Sequence, residues 1–189
     1  MDSDAISKRI LEEFKDFGSS NEIYALITPA DYHHKVSDLA MVHLAKEVKL
    51  NGVYVSLNIA YEQKAAHLKK LGIDTDRMFF IDACSKSGSP SSAAKNCVLI
   101  QSPQALTELS IAITTVCNTG KFDFLYFDSL TTLLIFNELK TTEKFIHYMI
   151  SKMRTFNLKG IILSMDEEKS KELLSMLEQL CDKMVHFVN

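Results

Sequence analysis

Lys35 is the first residue whose type and position could do chemistry, because it follows an apolar stretch that reads as a buried strand. A phosphate-binding loop reads G-x-x-x-x-G-K-[ST], with backbone N–H groups that hold the anion and a hydroxyl that binds magnesium. Aligned on Lys35, this chain has Pro29 and His34 in place of the two glycines and Val36 in place of the hydroxyl residue. Ser37 lies one position after the place where the motif has its hydroxyl residue, so it could supply the hydroxyl only if the loop shifted. We therefore expect nucleotide affinity to be low.

Asp128 is the second informative residue, since it ends the apolar run of residues 124–127. Ligands of open α/β proteins bind at the carboxyl ends of the strands, and phosphate-transferring enzymes hold magnesium with an aspartate there. The alternative is structural, because Asp128 could cap the helix predicted for Leu130–Phe136 by accepting hydrogen bonds from its first N–H groups. The missing loop glycines favour capping over metal binding.

A pair of histidines, His33 and His34, lies near Asp31 and could in principle hold a transition metal. Adjacent side chains in an extended turn point apart, and no third and fourth ligand is visible in the sequence. We expect solvated loop histidines and no metal ion, apart from magnesium on Asp128 if a nucleotide binds.

Composition and charge set the outer limits. The chain has 189 residues, of which 47% are hydrophobic, and a formal net charge of −3. This length suits one substantial core, so we expect a single domain over residues 1–189. The basic residues are scattered, which disfavours nucleic-acid binding. No apolar run approaches the ~20 residues that cross a bilayer, and the N-terminus lacks the apolar core of a signal peptide, so we expect no membrane association and a cytoplasmic protein.

The four cysteines are far apart and form no C-x-x-C pair, which argues against a zinc site and a redox dithiol. Buried free thiols are the simpler interpretation. The cysteines are Cys84, Cys97, Cys117 and Cys181.

Strands and helices must alternate to position these residues. Residues 24–58 read as a strand, a tight connection, an amphipathic helix and a second strand, which is a βαβ unit. The alternation continues along the chain and predicts an α/β fold with a mainly parallel sheet. The predicted strands are 23–28, 53–57, 78–81, 97–100, 124–127, 161–163 and 184–188, and the predicted helices are 5–17, 36–50, 60–71, 102–118, 130–136, 141–156 and 166–181.

Two segments lie outside this alternation. Within residues 1–20, the helix predicted for 5–17 carries one apolar stripe and is followed by Gly18, so we expect it to pack on the sheet, with a partner-binding helix as the alternative. Residues 85–96 are rich in serine and glycine and read as a flexible surface loop within the domain.

Several stretches of sequence together carry a resemblance to a known family. They are LIT–loop–HK–helix–NGVYVSLN, then YEQ…LKKLGID…MFFIDA, then FDFLYFDSLT, then KGIILSM. In this order they resemble the RecA-like ATPases of the KaiC and archaeal recombinase-paralogue type, from residue 22 to residue 189. The resemblance implies a three-layer α/β/α fold, ATP and magnesium as ligands, and assembly into homo- or hetero-oligomers of RecA-like subunits. On it, Lys35 matches the Walker A lysine and Asp128 the Walker B aspartate.

The resemblance also marks what this chain has lost. The family's water-orienting glutamates after the second strand are replaced by Asn58 and Ile59, so general-base assistance of typically 10²–10⁴-fold is absent. We expect a pseudo-ATPase that needs no cofactor and acts as a regulatory or scaffolding subunit through protein contacts. Two alternatives stay open: an ATP-binding regulatory ATPase that uses Lys35, Ser37 and Asp128 in an atypical P-loop, and a receiver- or flavodoxin-like signalling module with Asp128 as phosphate acceptor.

Overall fold

Seven parallel strands form the central sheet in the residues that the computed structural model describes, namely 3–15, 17, 21–85 and 95–187. The strands are β1 (Ile23–Thr28), β2 (Gly52–Ser56), β3 (Met78–Asp82), β4 (Cys97–Leu99), β5 (Phe124–Asp128), β6 (Lys159–Met165) and β7 (Lys183–His186). They lie side by side in the order β4-β3-β2-β5-β6-β1-β7. Every neighbouring pair is parallel, as the alternation of strands and helices predicts.

Helices cover both faces of the sheet and make a three-layer α/β/α fold. They are α1 (Ser3–Glu13), α2 (His33–Met41), α3 (Tyr61–Lys70), α4 (Leu106–Cys117), α5 (Leu130–Phe136), α6 (Leu139–Thr155) and α7 (Lys171–Leu180). The first three pack on one face of the sheet and the last four on the other. Successive residues of β1 point to opposite faces, and all are buried, because both faces are covered. None of the helices in these described ranges has the length and hydrophobicity needed to cross a membrane.

Helix boundaries differ from the sequence prediction in two places that matter. Helix α2 begins at His33, three residues earlier than predicted, and continues after Met41 as a π-helical segment over Val42–Glu47. Helix α4 begins at Leu106, and the predicted start at Ser102 is wrong. The segment before α4 is a turn, in which Ala105 N donates to the Ser102 carbonyl and Asn137 Nδ2 donates to the Pro103 carbonyl.

Helix α1 is part of the core. Ile6, Ile10 and Phe14 are buried, and the Phe14 ring lies 5.8 Å from the ring of Tyr24 in β1. This confirms the prediction that the helix packs on the sheet, although it ends at Glu13. Gly18 lies outside the described residues.

All four cysteines are free thiols, but not all of them are buried. Cys117 is buried and Cys97 and Cys181 are partly buried, whereas Cys84 is exposed, so the prediction of buried thiols is wrong for that residue. Cys84 lies two residues after the end of β3 and immediately before the predicted loop of residues 85–96. Most of that loop, residues 86–94, lies outside the described part of the chain.

Strand register decides which side chains meet at the carboxyl edge of the sheet. Asp128 of β5 lies beside Ser56 of β2 on one side and beside Leu163 of β6 on the other. Thr28, at the end of β1, lies beside Met165 of β6. The ends of β1, β2, β5 and β6 therefore form one continuous rim, and the first turn of α2 rises from it.

Candidate functional site

Asp128 is the centre of a buried polar cluster at this rim. The residue is only 3% exposed. It does not cap α5, because the hydroxyl of Ser129 takes that role and accepts from the backbone N–H of Thr132. The expectation that Asp128 caps the helix is wrong. Its carboxylate instead faces β2, α2 and α3.

Side chains from three different elements surround the Asp128 carboxylate. The Tyr54 hydroxyl of β2 donates a short hydrogen bond to Oδ2. Lys64 Nζ of α3 lies 3.7 Å from Oδ2, and His33 Nε2 of α2 lies 3.6 Å from Oδ1. The chain thus supplies a cation, an imidazole and a hydroxyl to this one buried acid.

Lys64 is the least expected member of the cluster, since lysine is rarely fully buried. It is 3% exposed, and its ammonium also lies 4.7 Å from the centre of the Tyr54 ring, at cation–π distance. A buried ammonium is costly unless an acid compensates it. Asp128 is that acid. Removing either residue of the pair would leave the other as an uncompensated buried charge.

His33 links the cluster to the end of β1. Its Nδ1 lies 3.0 Å from the hydroxyl oxygen of Thr28, while its Nε2 faces Asp128. A carboxylate accepts hydrogen bonds, so it favours a hydrogen on Nε2, the imidazole nitrogen that faces it. The imidazole then presents an N–H to Asp128 at a distance slightly longer than a hydrogen bond.

The electrostatics of the cluster keep Asp128 charged. Burial alone disfavours the carboxylate, but His33, Lys64 and the Tyr54 hydroxyl outweigh burial and hold the pKa of Asp128 below its ordinary value. Burial, followed by the charge of Asp128, raises the pKa of Tyr54 well above its ordinary value. Tyr54 therefore stays protonated and remains a hydrogen-bond donor.

Ser37 lies on the edge of the same cluster. Its hydroxyl is beside the hydroxyl groups of Tyr54 and Tyr126, whose rings stack with centroids 5.2 Å apart. Ser37 Oγ and Tyr126 OH make no hydrogen bond of good geometry with another described residue. Ser37 is buried within this group of hydroxyls and faces the core.

The structure brings together only two of the three nucleotide-binding candidates. Ser37 and Asp128 both lie next to Tyr54. Lys35 is only partly buried and, two residues after His33, lies about 200° round the helix from it. Among the described residues Lys35 makes no ion pair or hydrogen bond through its side chain.

The histidine pair does not form a site either. His33 is buried against Asp128, whereas His34 and Asp31 are exposed, and the two imidazole rings are 5.8 Å apart in an edge-on arrangement. Both histidines lie in the first turn of α2, so the prediction of loop histidines is wrong, and His33 is not solvated. In the described ranges no group of three or more His, Cys, Asp or Glu side chains is arranged to hold a metal ion.

The loop between β1 and α2 is wound into a single 3-10 turn over Ala30–Tyr32. The backbone N–H of Tyr32 donates to the Pro29 carbonyl at 3.1 Å, and that of His33 donates to the Ala30 carbonyl. A phosphate-binding loop directs such N–H groups at the anion. Here these two are used within the turn.

Sequence reasoning missed the roles of His33, Tyr54 and Lys64. Tyr54 alternates with residues of the other face of β2 and looks like ordinary sheet packing. Lys64 lies in the polar stretch YEQKAAHLKK, but it is four residues before the buried Leu68 and next to the buried Ala65. A lysine on the apolar stripe of a helix was the available signal.

Comparison with known proteins places the chain in a family and defines its fold. The model of the family of unknown function DUF7504 matches residues 29–187, so the chain belongs to that family. No curated protein matches. A KaiC-like protein of Pyrococcus horikoshii, PH0186, superposes with a TM-score of 0.63 at 10% identity over 88% of this chain and 71% of that one.

The uncharacterized protein PH0321 of Pyrococcus horikoshii, solved in complex with an unknown peptide, also has a TM-score of 0.63, at 14% identity over 94% of this chain and 82% of its own. At such low identity the two likenesses establish the fold, which is RecA/KaiC-like.

Proposed function

We propose that this chain, a DUF7504 member with a RecA/KaiC-like fold, is a catalytically inactive domain that acts as a regulatory or scaffolding subunit through protein contacts. The observation that carries the proposal is the ion pair of Lys64 with Asp128, the residue that the resemblance matches to the Walker B aspartate. A side chain of the chain itself occupies the place beside the carboxylate that a metal ion would need.

Magnesium does not fit the residues present. An ion bound to Asp128 would stand near the Lys64 ammonium, and like charges about 4 Å apart repel by roughly 4 kcal/mol per unit charge at an effective dielectric constant of 20. Val36 offers no hydroxyl to the metal, and Ser37 is turned into the tyrosine cluster. We assign no step of the protein's action to ATP or magnesium.

The crevice beside Lys64 is also small for a nucleotide. The crevice that Lys64 lines has a volume of about 220 Å³ and lies between α2 and α3. Sites for small molecules and cofactors usually measure 300–1,000 Å³. The wound loop leaves the N–H groups of Tyr32 and His33 directed at carbonyl groups of the turn.

Two observations support a role in protein contacts. The fold neighbour PH0321 was solved with a peptide. This chain exposes large apolar side chains on more than one surface, including Ile111 on α4 and the adjacent Ile135 and Phe136 of α5. Such side chains favour protein partners when they form patches.

The signalling alternative is less well supported by the geometry. A phosphate acceptor must be reached by its phosphate donor, whereas Asp128 is buried under Tyr54, Lys64 and His33.

The ATPase alternative predicts that the chain binds nucleotide, whereas our proposal predicts that it does not, and one experiment separates the two.

Isothermal titration with ATP and magnesium, together with a phosphate-release assay, tests the proposal. We expect no saturable binding and no turnover, and Lys35→Ala and Asp128→Asn should behave like the parent in both assays. ATP turnover that either substitution abolishes would overturn the proposal and favour the atypical ATPase. Folding of each variant is checked by circular dichroism, because Asp128→Asn also disturbs the ion pair.

A further inference from the structure

Strand β4 is an edge of the sheet, since in the described ranges it pairs only with β3. The carbonyl of Asn96 accepts from β3, and the N–H of Ile100 donates to β3. Backbone groups alternate in direction along a strand, so Cys97 and Leu99 direct their N–H and C=O groups away from the sheet. This outer row can accept another strand.

Natural sheets protect such edges with very short strands, charged residues, proline or bulges. The opposite edge strand, β7, has Lys183 and His186, and Lys183 forms an ion pair with Glu13 at 2.6 Å. Strand β4, Cys-Val-Leu, is short, with three residues, but it has no charged residue, proline or bulge. Within the described residues, the β7 strand therefore carries side chains that can bear charge and disfavour strand pairing, whereas the β4 strand carries none.

An apolar cavity of about 450 Å³ continues the β4 edge over the face of the sheet. It lies between β4 and α4, and Ile111 of α4, at 61% exposure, stands beside it. Glu108 is the one charged side chain among its lining residues, which also include Phe79, Val98, Leu99 and Val116. The edge and the cavity together form one apolar surface, which we call the β4 surface.

We propose that the β4 surface binds a second copy of this chain, with the two β4 strands antiparallel about a two-fold axis at Val98. In this register Cys97 of one copy lies opposite Leu99 of the other. Both residues direct their backbone groups outward, so they can exchange N–H···O=C bonds. The two Val98 residues then form the central pair without hydrogen bonds.

Charge complementarity supports this register. Glu108 Oε2 accepts from the backbone N–H of Gln101 at 3.2 Å, so its carboxylate lies at the carboxyl end of β4. Lys95 is exposed at the amino end. Antiparallel pairing about Val98 brings Lys95 of one copy opposite Gln101 of the other, and hence toward its Glu108. The two-fold axis produces the same attraction between Lys95 and Glu108 a second time, as an isologous contact requires.

Cross-linking tests the register directly. Directly opposed residues of a pair without hydrogen bonds have Cα atoms about 4.5 Å apart, within the 4.4–6.8 Å range that a disulfide spans. In a Cys84→Ser background, Val98→Cys should give a covalent dimer on mild oxidation. The matched control is His186→Cys, an exposed residue on the other edge strand, which should stay monomeric.

Sedimentation of the unmodified protein from micromolar to millimolar concentration tests the dimer itself. We expect a concentration-dependent dimer that Val98→Lys and Glu108→Lys each weaken at least tenfold, while Ile135→Lys on α5 has no effect. Combining Lys95→Glu with Glu108→Lys should restore dimerisation. A monomer at every concentration, a larger assembly indifferent to Val98→Lys, or equal cross-linking of the β7 control would overturn the inference. These outcomes are independent of nucleotide binding.

Discussion

Replacement of Lys64 by methionine tests the buried ion pair, because methionine keeps the apolar length of the side chain and removes the charge. Asp128 would then stay charged and buried without its cation. Removing one partner of a buried pair typically costs about 3–5 kcal/mol of unfolding free energy. Tyr54 and His33 still face the carboxylate, so we expect a loss of about 3 kcal/mol, measured by urea unfolding.

The double variant Lys64→Met with Asp128→Asn separates lost charge from lost packing. When both charges are absent, neither residue leaves an uncompensated ion, so the double variant should be more stable than the sum of the two single changes predicts. We expect a coupling energy of about 1–3 kcal/mol, the usual range for residues in contact.

The exposed pair of Arg154 and Asp182 provides a control. Their charged atoms are 3.2 Å apart, closer than those of Lys64 and Asp128, but both side chains reach solvent. Exposed pairs contribute about 0–1 kcal/mol, so Arg154→Met should change stability little. If Lys64→Met lowers the unfolding free energy no more than Arg154→Met does, or if the double variant is strictly additive, then the buried ion pair of Lys64 and Asp128 does not stabilise the fold.

Two further predictions concern stability. The pKa of Asp128 is held below its ordinary value, so its contribution to the unfolding free energy is fully present above the unfolded-state pKa of about 3.9 and is lost as pH falls through the lower folded-state pKa. Urea unfolding across this acid range should show a weaker pH dependence for Asp128→Asn than for the parent, and identical slopes would contradict the shift. In α1, Ile10→Ala should cost about 2–5 kcal/mol because Ile10 is buried, and the neighbouring Leu11→Ala, at 51% exposure, about 0.5 or less; equal losses would mean that α1 is not packed in solution as described.

Sequence pattern predicted the layered fold because the strands are continuous apolar runs and the helices have a regular apolar stripe. Residues 23–28 are buried at every position, which such a run predicts. Boundaries were less predictable where tertiary contacts decide them. The favourable Ser102–Pro103 start of a helix is overridden by a turn that Asn137, from a distant part of the chain, holds in place.

The candidate site was predictable at Asp128 but not in its partners. A carboxylate at the end of a buried strand is visible in the sequence, whereas the side chains that surround it come from α2, α3 and β2. The strand register pairs Tyr54 of β2 with Tyr126 of β5, two residue pairs before Ser56 and Asp128 at the ends of these strands. From the sequence, Lys64 is predicted to be a solvent-exposed helix residue. Only the packing of α3 against the sheet shows that it is buried.

A crystal structure of the protein grown with saturating ATP and magnesium tests the central claim most directly. We predict that Lys64 Nζ stays beside the Asp128 carboxylate and that residues 29–32 keep their tight turn, with no triphosphate next to them. A triphosphate cradled by an opened loop, with magnesium on Asp128 and Lys64 displaced, would contradict the account.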